Sequence, residues 1–328
     1  MHASPETVIL EHVIDLSTRA ILETRPPKNR VDPWRPYAFF VERERAATGE
    51  VVDIATLFLT NRECPWRCVM CDLWKNTTDG PVPVGAIPKQ IDYALERLGP
   101  ARQIKLYNSG NFFDAQAIPA QDHPAIAERV GRFERVIVEN HPKLCGESCL
   151  RFRDQCGTSL EVAMGLETVH PEVLPRLNKG MTLDDFAQAV ELLLRHQIAV
   201  RTFILLRPPF LSESEGVKWA IKSLDYAQSL GVGCCAIIPT RGGNGILERL
   251  AADGEFEPPT IRSLERVLEH GISLRGGRVL ADTWDIERFC DCPQCGPLRA
   301  ARIGAMNLSQ QVEPAVPCSH CGGTAQPG

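Results

Sequence analysis

The alternation of short apolar runs with amphipathic segments restricts this chain to one class of fold. Six apolar runs of strand length occupy residues 51–60, 103–107, 135–139, 160–164, 200–206 and 234–238. Most are followed by a segment with helical spacing, such as Ile91, Ala94, Leu95 and Leu98 at i, i+3, i+4 and i+7. Strands separated by single helices pair in parallel through right-handed crossovers. The pattern therefore predicts an α/β fold with a partial (β/α)6 barrel of the TIM type.

The remaining residues predict an extension on each side of the barrel. Residues 1–50 are expected to form a helix over 6–23, a proline-rich wrapping segment and a strand over 37–44 that precedes the barrel strands. Residues 51–275 form the barrel, and residues 276–328 form a small cysteine-rich module that begins with a short strand over 278–281. This last part has little apolar core of its own, and such modules are usually stapled by a metal or disulfides.

The amino-acid composition indicates the cellular environment of the protein more clearly than it indicates the function. The 328 residues are 44% hydrophobic and 23% charged, which is typical of a soluble globular protein. No apolar run is long enough to span a bilayer and no secretory segment is recognisable, so we expect no membrane partner and a cytoplasmic location. In that compartment the 13 cysteines favour metal or redox chemistry over disulfides.

Three cysteines lie in a loop directly after the first barrel strand. Cys64, Cys68 and Cys71 have the spacing C-x3-C-x2-C. Structural zinc normally takes four ligands, and three thiols cannot pair evenly in disulfides. Three thiolates can instead hold a [4Fe–4S] cluster and leave its fourth iron open, whereas electron-transfer clusters use four. The loop is expected at the carboxyl ends of the strands, where barrels of this kind place their active sites.

This cysteine spacing, placed after the first strand of a β/α barrel, resembles the radical S-adenosylmethionine superfamily. The segments 59–74, 108–114 and 165–168 are more narrowly similar to the radical-subunit family of archaeosine synthase, which acts on a lysine-bearing deazaguanine in transfer RNA. The resemblance implies a [4Fe–4S] cluster, S-adenosylmethionine as its ligand and an external electron donor. It also implies that a 5′-deoxyadenosyl radical removes a hydrogen atom from a substrate, for which we suggest a nucleoside of RNA.

The resemblance also assigns contacts to S-adenosylmethionine, all in segments at or near the strand ends. Met70 takes the position, often aromatic in the family, that lies against the adenine. The loop after the second strand would meet the methionine amino group, Glu167 the ribose, and Arg201, or next Arg207, the methionine carboxylate. The residues assigned to cofactor binding are Met70, Asn108, Ser109, Gly110, Asn111, Glu167 and Arg201.

A second metal signal lies near the end of the sequence. Cys292 and Cys295 form one CxxC pair and Cys318 and Cys321 form another, separated by 22 residues. Two such knuckles favour a closed tetrahedral zinc site in a zinc-ribbon-like module. A second iron–sulfur cluster is the alternative, because thiolates bind both.

The other cysteines and the charge balance give weaker indications. Cys145, Cys149 and Cys156 match no metal spacing and are expected to be free thiols in a charged connection, and Cys234 and Cys235 are expected in the core. A net charge of −5 counts mildly against nucleic acid, although a local basic patch could still bind it. Two alternatives therefore stay open: a radical enzyme acting on a small metabolite or peptide, and a non-catalytic iron–sulfur or zinc protein that binds RNA.

Overall fold

The computed structural model describes residues 14–321, which contain one eight-stranded sheet with its strands in chain order. The strands are β1 (Ala38–Arg45), β2 (Val51–Phe58), β3 (Gln103–Tyr107), β4 (Arg135–Glu139), β5 (Ser159–Glu167), β6 (Ala199–Leu206), β7 (Cys234–Pro239) and β8 (Arg278–Ala281). β1 and β2 form an antiparallel hairpin, and β2 to β8 are parallel.

The sheet is larger than the sequence predicted. All six expected barrel strands are present, but Arg278–Ala281, expected in the terminal module, is a seventh parallel strand that pairs with β7. All four of its residues are buried. By pairing with β7, β8 covers an edge of an apolar strand that would otherwise be exposed. The barrel sheet therefore extends past the expected boundary at residue 275.

Ten α-helices of the described residues surround this sheet. They are α1 (Thr18–Glu23), α2 (Ala86–Leu95), α3 (His123–Val130), α4 (Glu147–Cys156), α5 (Val173–Arg176), α6 (Leu183–Arg195), α7 (Glu213–Ser229), α8 (Ile246–Ala252), α9 (Ile261–Leu274) and α10 (Gly296–Ser309). The start of α6 is fixed by a capping box between Thr182 and Asp185, and that of α7 by one between Ser212 and Glu215. Of the helix expected over residues 6–23, residues 6–13 lie outside the described part.

The two faces of the sheet have different environments. The outer face, with residues such as Leu57, Leu106 and Val162, packs against the helices and forms the main hydrophobic core. The inner face carries charged side chains near the amino ends of the strands and aromatic side chains near the carboxyl ends. We call the charged part of the inner face, at the amino ends of the strands, the floor of the barrel. The apolar part, at the carboxyl ends, is the mouth.

The floor of the barrel is a buried ion-pair network, and it includes Arg201. The Arg201 guanidinium is 2.7 Å from Glu161 Oε1 and 2.6 Å from Glu44 Oε1. Lys105 and Arg278 also pair with Glu44, at 2.7 and 3.4 Å. Because Glu44 is on β1 and Arg278 on β8, this network bridges the two edges of the curled sheet.

The cysteine-rich end of the chain is built on a helix. Cys292 and Cys295 precede α10, and Cys318 and Cys321 follow it after an irregular segment. Between residues 282 and 321 the described chain contains no strand of the main sheet, and the zinc-ribbon-like form of this module stays a prediction. α10 packs against α9, β1 and β8 and so places the four thiols beside the barrel.

Candidate cofactor site and metal centre

The cysteine loop lies at the carboxyl ends of the strands, as predicted, and its backbone is held from several directions. Val69 N donates to Leu177 O at 2.9 Å, and Asn178 Nδ2 donates to Arg67 O at 2.9 Å. Asn244, in the loop after β7, donates to Val69 O at 2.7 Å and to the carbonyl of Cys71 at 3.3 Å. These contacts fix the loop, while all three thiol-bearing residues stay partly exposed.

The N-terminal segment is tied to the same loop through one carboxylate. Glu63, which directly precedes Cys64, forms ion pairs with Arg25 at 2.6 Å, Lys28 at 3.0 Å and Arg67 at 3.3 Å. Burial raises the pKa of Glu63, but the hydrogen bonds from Arg25 and Lys28 outweigh it and the pKa is lowered. The proline-rich segment therefore wraps over the cysteine loop.

The loop after β3 brings its polar groups to the first cysteine. Asn111 Nδ2 donates to Cys64 Sγ at 3.3 Å, and Gly110 lies beside Cys64. Ser109 has a left-handed backbone with φ of 51° and exchanges a 2.8 Å hydrogen bond with the Tyr37 hydroxyl. Asn108 is completely buried, yet neither its Nδ2 nor its Oδ1 has a partner among the protein atoms. Such orphaned groups fit a site that a polar ligand completes.

A buried ion pair adjoins the thiols. Lys179 Nζ is 2.6 Å from Glu167 Oε1, and Glu167 itself has a positive φ of 64° at the end of β5. A Cβ on Gly165 would lie 1.9 Å from the same carboxylate oxygen, so only glycine leaves room for the pair. Burial alone would lower the pKa of Lys179, but Glu167 and the thiol of Cys68 raise it.

The electrostatics of the three thiols suit a metal cluster. Burial raises the pKa of Cys64 and Cys71, and that of Cys68 to about 12. The Lys179 cation acts in the opposite direction on Cys64 and Cys68, and the thiols influence one another because they face a common space. Positive iron ions would therefore replace the three protons and stabilise thiolates that the protein alone disfavours.

Arg201 and Arg207 were both predicted to contact the methionine carboxylate, but the guanidinium of each forms ion pairs with protein carboxylates. Arg201 is the third residue of β6, close to the amino end of the strand, so its side chain lies in the floor network and away from the cysteine loop. Its predicted contact with a methionine carboxylate has no support in this position. Arg207 follows the carboxyl end of β6, but its guanidinium is bound to Glu213 and Glu257.

Met70 lies at the barrel mouth in an apolar environment. It is half-buried and packs into the cluster formed by residues of α5, β6 and β7, among them Leu205 and Ile238. Because both strand residues stand near the carboxyl ends on the inner face, Met70 is placed where the cysteine loop meets this apolar surface. This position is compatible with the predicted contact to a flat ring.

Three residues near the site were missed by the sequence analysis. Lys179 stands alone in the connection after α5, so no pattern pointed to it. His141 stacks on Trp66 of the cysteine loop, with ring centroids 3.7 Å apart and planes inclined by 6°. Glu139, at the end of β4, accepts the backbone N–H of Asn108 at 3.0 Å, and burial raises its pKa to about 7. A search for polar residues at the end of each strand and in the two positions after it would have found Glu139 and His141.

The four terminal cysteines converge as their spacing predicted. Their Sγ atoms all lie within 4.8 Å of one another, with 3.8 Å between Cys292 and Cys318 and 3.6 Å between Cys295 and Cys321. Sulfurs at 2.3 Å from one tetrahedral ion would be separated by about 3.8 Å. Backbone N–H groups of Cys321 and His320 help to lower the pKa of Cys318 to about 7, which favours its thiolate. The donor set therefore fits one tetrahedral metal ion.

Two arginines of α10 support this centre. Arg299 Nε donates to Cys295 Sγ at 3.4 Å, and its guanidinium also bonds to Glu265 of α9. Arg302 donates to the carbonyl of Pro314 at 2.8 Å in the segment that leads to the second knuckle. The two knuckles are thus oriented by a helix that is itself fixed to α9.

The other cysteines are reduced, as predicted, but their surroundings differ from the prediction. The charged connection containing Cys149 and Cys156 is the helix α4, which buries both thiols against the outer face of the sheet. Cys235 lies in the same core, and Cys234 lies on the inner face beside Arg201. In the described part of the chain, the structure contains no helix that is long and apolar enough to cross a membrane.

Comparison with known proteins shows relatives over most of the chain. An uncharacterized protein of Methanocaldococcus jannaschii is 22% identical over 304 residues, which are 86% of this chain and 83% of that protein. The archaeosine synthase subunit beta of Methanosarcina acetivorans is 26% identical over 231 residues, or 65% of each protein. No protein-family model matches the chain. The match thus covers slightly less than two thirds of the archaeosine synthase subunit.

The solved structures give a likeness of fold. SuiB of Streptococcus suis, in a crystal structure bound to S-adenosylmethionine, has a TM-score of 0.51 and 12% identity to this chain. The likeness covers 70% of this chain and 51% of SuiB. At this identity the likeness shows that the two proteins share a curled β/α sheet, and it gives no information about the substrate of this chain.

Proposed function

We propose that this chain, an enzyme of the radical S-adenosylmethionine superfamily, holds a [4Fe–4S] cluster on Cys64, Cys68 and Cys71. The observation that carries the proposal is the position of these three cysteines at the carboxyl ends of the strands, facing a loop with unsatisfied buried polar atoms. When bound, the cluster and S-adenosylmethionine supply a 5′-deoxyadenosyl radical that removes a hydrogen atom from the substrate. An external donor provides the electron.

The side chains around the cluster bind and orient the cofactor. Asn111 donates to the Cys64 sulfur, and the Lys179 cation offsets the negative charge of the thiolates. The side-chain amide of Asn108, which has no protein partner, is proposed to contact the methionine group, and Glu139 fixes the loop by accepting the Asn108 N–H.

Further cofactor contacts are proposed for residues that line the same space. Ser109 and Gly110 allow the backbone to approach the methionine, Glu167 is the ribose contact, and Met70 lies against the adenine. Arg201 is left out of this set because its three hydrogen bonds to Glu44 and Glu161 bury it in the floor.

We propose zinc for the terminal centre of Cys292, Cys295, Cys318 and Cys321. Its short sulfur–sulfur distances suit ligands of a single ion, whereas thiolates of a [4Fe–4S] cluster bind different irons and lie further apart. With four protein ligands the site has no open position, so the ion is structural. Metal analysis of a Cys292→Ala/Cys295→Ala variant should show the loss of one zinc with the iron content unchanged.

For the substrate we propose a modified nucleoside in transfer RNA. The support is the similarity to the archaeosine synthase subunit, which is 26% identical over 231 residues. Binding of a transfer RNA transcript should weaken steeply with salt if phosphates are contacted. Absence of such binding, together with binding of a small molecule, would favour a metabolite.

Anaerobic reconstitution tests the chemistry. The reduced wild-type protein should contain about four irons more than a Cys68→Ala variant and should convert S-adenosylmethionine to 5′-deoxyadenosine. Cys156→Ala is the matched control, since that thiol is also buried but lies in α4. Failure of the wild type to form 5′-deoxyadenosine, or equal activity of Cys68→Ala, would refute the proposal.

A further inference from the structure

We infer that His141 is a positioning residue for the cluster, because its ring stacks on Trp66 of the cysteine loop and its Nε2–H fixes the backbone of Lys179. The inference rests on the proposed function, since the loop that His141 holds is the one assigned to the [4Fe–4S] cluster. It goes beyond that function by naming the side chain that sets both the position of the loop and the place of the nearby cation.

The ring of His141 lies flat against the cysteine loop. Trp66 stands between Cys64 and Cys68, and its ring centroid is 3.7 Å from that of His141, with the planes inclined by 6°. His141 is 5% exposed and belongs to the connection that follows β4. Contacts between flat aromatic rings contribute more than the apolar area that they bury. The stack therefore ties the stretch between the first two cysteines to the end of β4.

The hydrogen bonds of the imidazole define its tautomer. Nδ1 accepts the backbone N–H of Lys143 at 3.2 Å, so the hydrogen of the neutral ring is on Nε2, which lies 3.1 Å from the carbonyl oxygen of Lys179. Burial, together with the Lys179 cation, lowers the pKa of His141 to about 3, so the ring is neutral at pH 7. His141 thus donates to the carbonyl of the residue whose Nζ pairs with Glu167.

The segment 177–180 holds the cysteine loop at neighbouring positions. Gly180 has a φ of 70°, and a Cβ there would lie 3.0 Å from Trp66 Nε1, so the edge of the indole packs against this glycine. The same segment is hydrogen-bonded to the backbone of the loop at residues 67 and 69. Because His141 contacts both parts, it joins the cysteine loop and this segment into one unit.

The position of Lys179 has an electrostatic consequence. Burial raises the pKa of the Cys64 and Cys68 thiols, and the Lys179 cation opposes this rise. A cation in this place stabilises the reduced cluster, which is more negative, better than the oxidised one. Loss of the Nε2–H bond would free the backbone of Lys179 and make reduction harder. The stack and the bond therefore have separable effects, the first on the mobility of the loop and the second on the reduction potential.

Hydrogen exchange of the full-length protein without the cluster tests the stack. In His141→Ala the backbone amides of residues 64–71 should exchange about tenfold faster than in the wild type, because the loop loses its aromatic contact. His141→Phe keeps a flat ring over Trp66 and should restore the slow exchange. His123→Ala is the matched control and should leave these amides unchanged, since His123 stacks on Phe112 with planes inclined by 10° but belongs to α3.

A reductive titration of the reconstituted protein, followed by electron paramagnetic resonance, tests the hydrogen bond. His141→Phe should keep its iron but have a more negative reduction potential than the wild type. His141→Gln, which retains an N–H donor but no flat ring, should keep the wild-type potential and show the fast exchange. Equal exchange in the wild type and His141→Ala, or equal potentials in the wild type and His141→Phe, would overturn the inference. If the wild type binds no cluster, the proposed function fails, whereas the exchange experiment still decides whether His141 holds the loop.

Discussion

Replacement of Arg201 by Met should destabilise the fold without weakening cofactor binding. Arg201 donates one hydrogen bond to Glu161 and two to Glu44, at 2.6 to 3.0 Å, and is 2% exposed. Bonds to charged groups contribute about 1.5–3 kcal/mol each, which would sum to about 4.5–9 kcal/mol. Both carboxylates keep other partners, however, since Lys105 and Arg278 remain on Glu44 and Arg278 on Glu161.

The expected loss is therefore about 3–5 kcal/mol, the range for breaking a buried ion pair. At about 2 °C for each kcal/mol in a chain of this size, Tm should fall by about 6–10 °C. Urea unfolding followed by circular dichroism measures the free energy of unfolding, and equilibrium dialysis of the reconstituted protein measures S-adenosylmethionine affinity. Arg102→Met is the control, because Arg102 pairs with exposed carboxylates and should contribute less than about 1 kcal/mol. An unchanged Tm with tenfold weaker cofactor binding would refute this reasoning and restore Arg201 to the cofactor site.

Three further predictions concern the site and the floor. A Cys292→Ser/Cys295→Ser variant should lose the proposed zinc ion and unfold at a lower temperature, and an unchanged metal content by mass spectrometry would contradict the assignment. Gly165→Ala should displace the Glu167 carboxylate, whose oxygen lies 1.9 Å from the new methyl position, and should weaken S-adenosylmethionine binding, with equal affinity as the contrary result. Burial raises the pKa of Glu161, but the surrounding arginines, Arg201 first, outweigh it and lower the pKa to about 2 from an ordinary 4.5. The stability from this shift, about 3 kcal/mol, is present above pH 5 and lost as the pH falls toward 2, so urea unfolding of the wild type should lose more between pH 5 and pH 3 than that of Glu161→Gln.

The barrel could be predicted because each strand and most helices show the spacing of apolar residues that is typical of their own secondary structure. The strand β8 was assigned to the wrong unit because it has only four residues and is followed at once by cysteines, so its pairing with β7 depends on distant residues. The helix α4 was read as a connection because its charged residues hide the spacing of Cys149, Phe152 and Cys156, which it buries.

The candidate site was predictable to the extent that its residues follow strand ends. The cysteine loop and residues 108–111 satisfy that rule, and both were identified. Arg201 was assigned by residue type, although its place as the third residue of β6 already put it near the amino end. Lys179 could not be found from the sequence, because its partner Glu167 is 12 residues away and no motif links them.

The bridge between the sheet edges has a consequence for the order in which the chain can fold. Arg278 and Glu44 are separated by 234 positions, and Arg45 donates to the carbonyl of Leu308, 263 positions away. During synthesis, β1 to β7 therefore emerge from the ribosome before α10, the helix that packs against β1. Open strand edges associate with other chains, and contacts of such sequence separation form slowly. The segment from β8 to α10 thus decides when the nascent barrel stops being prone to aggregation.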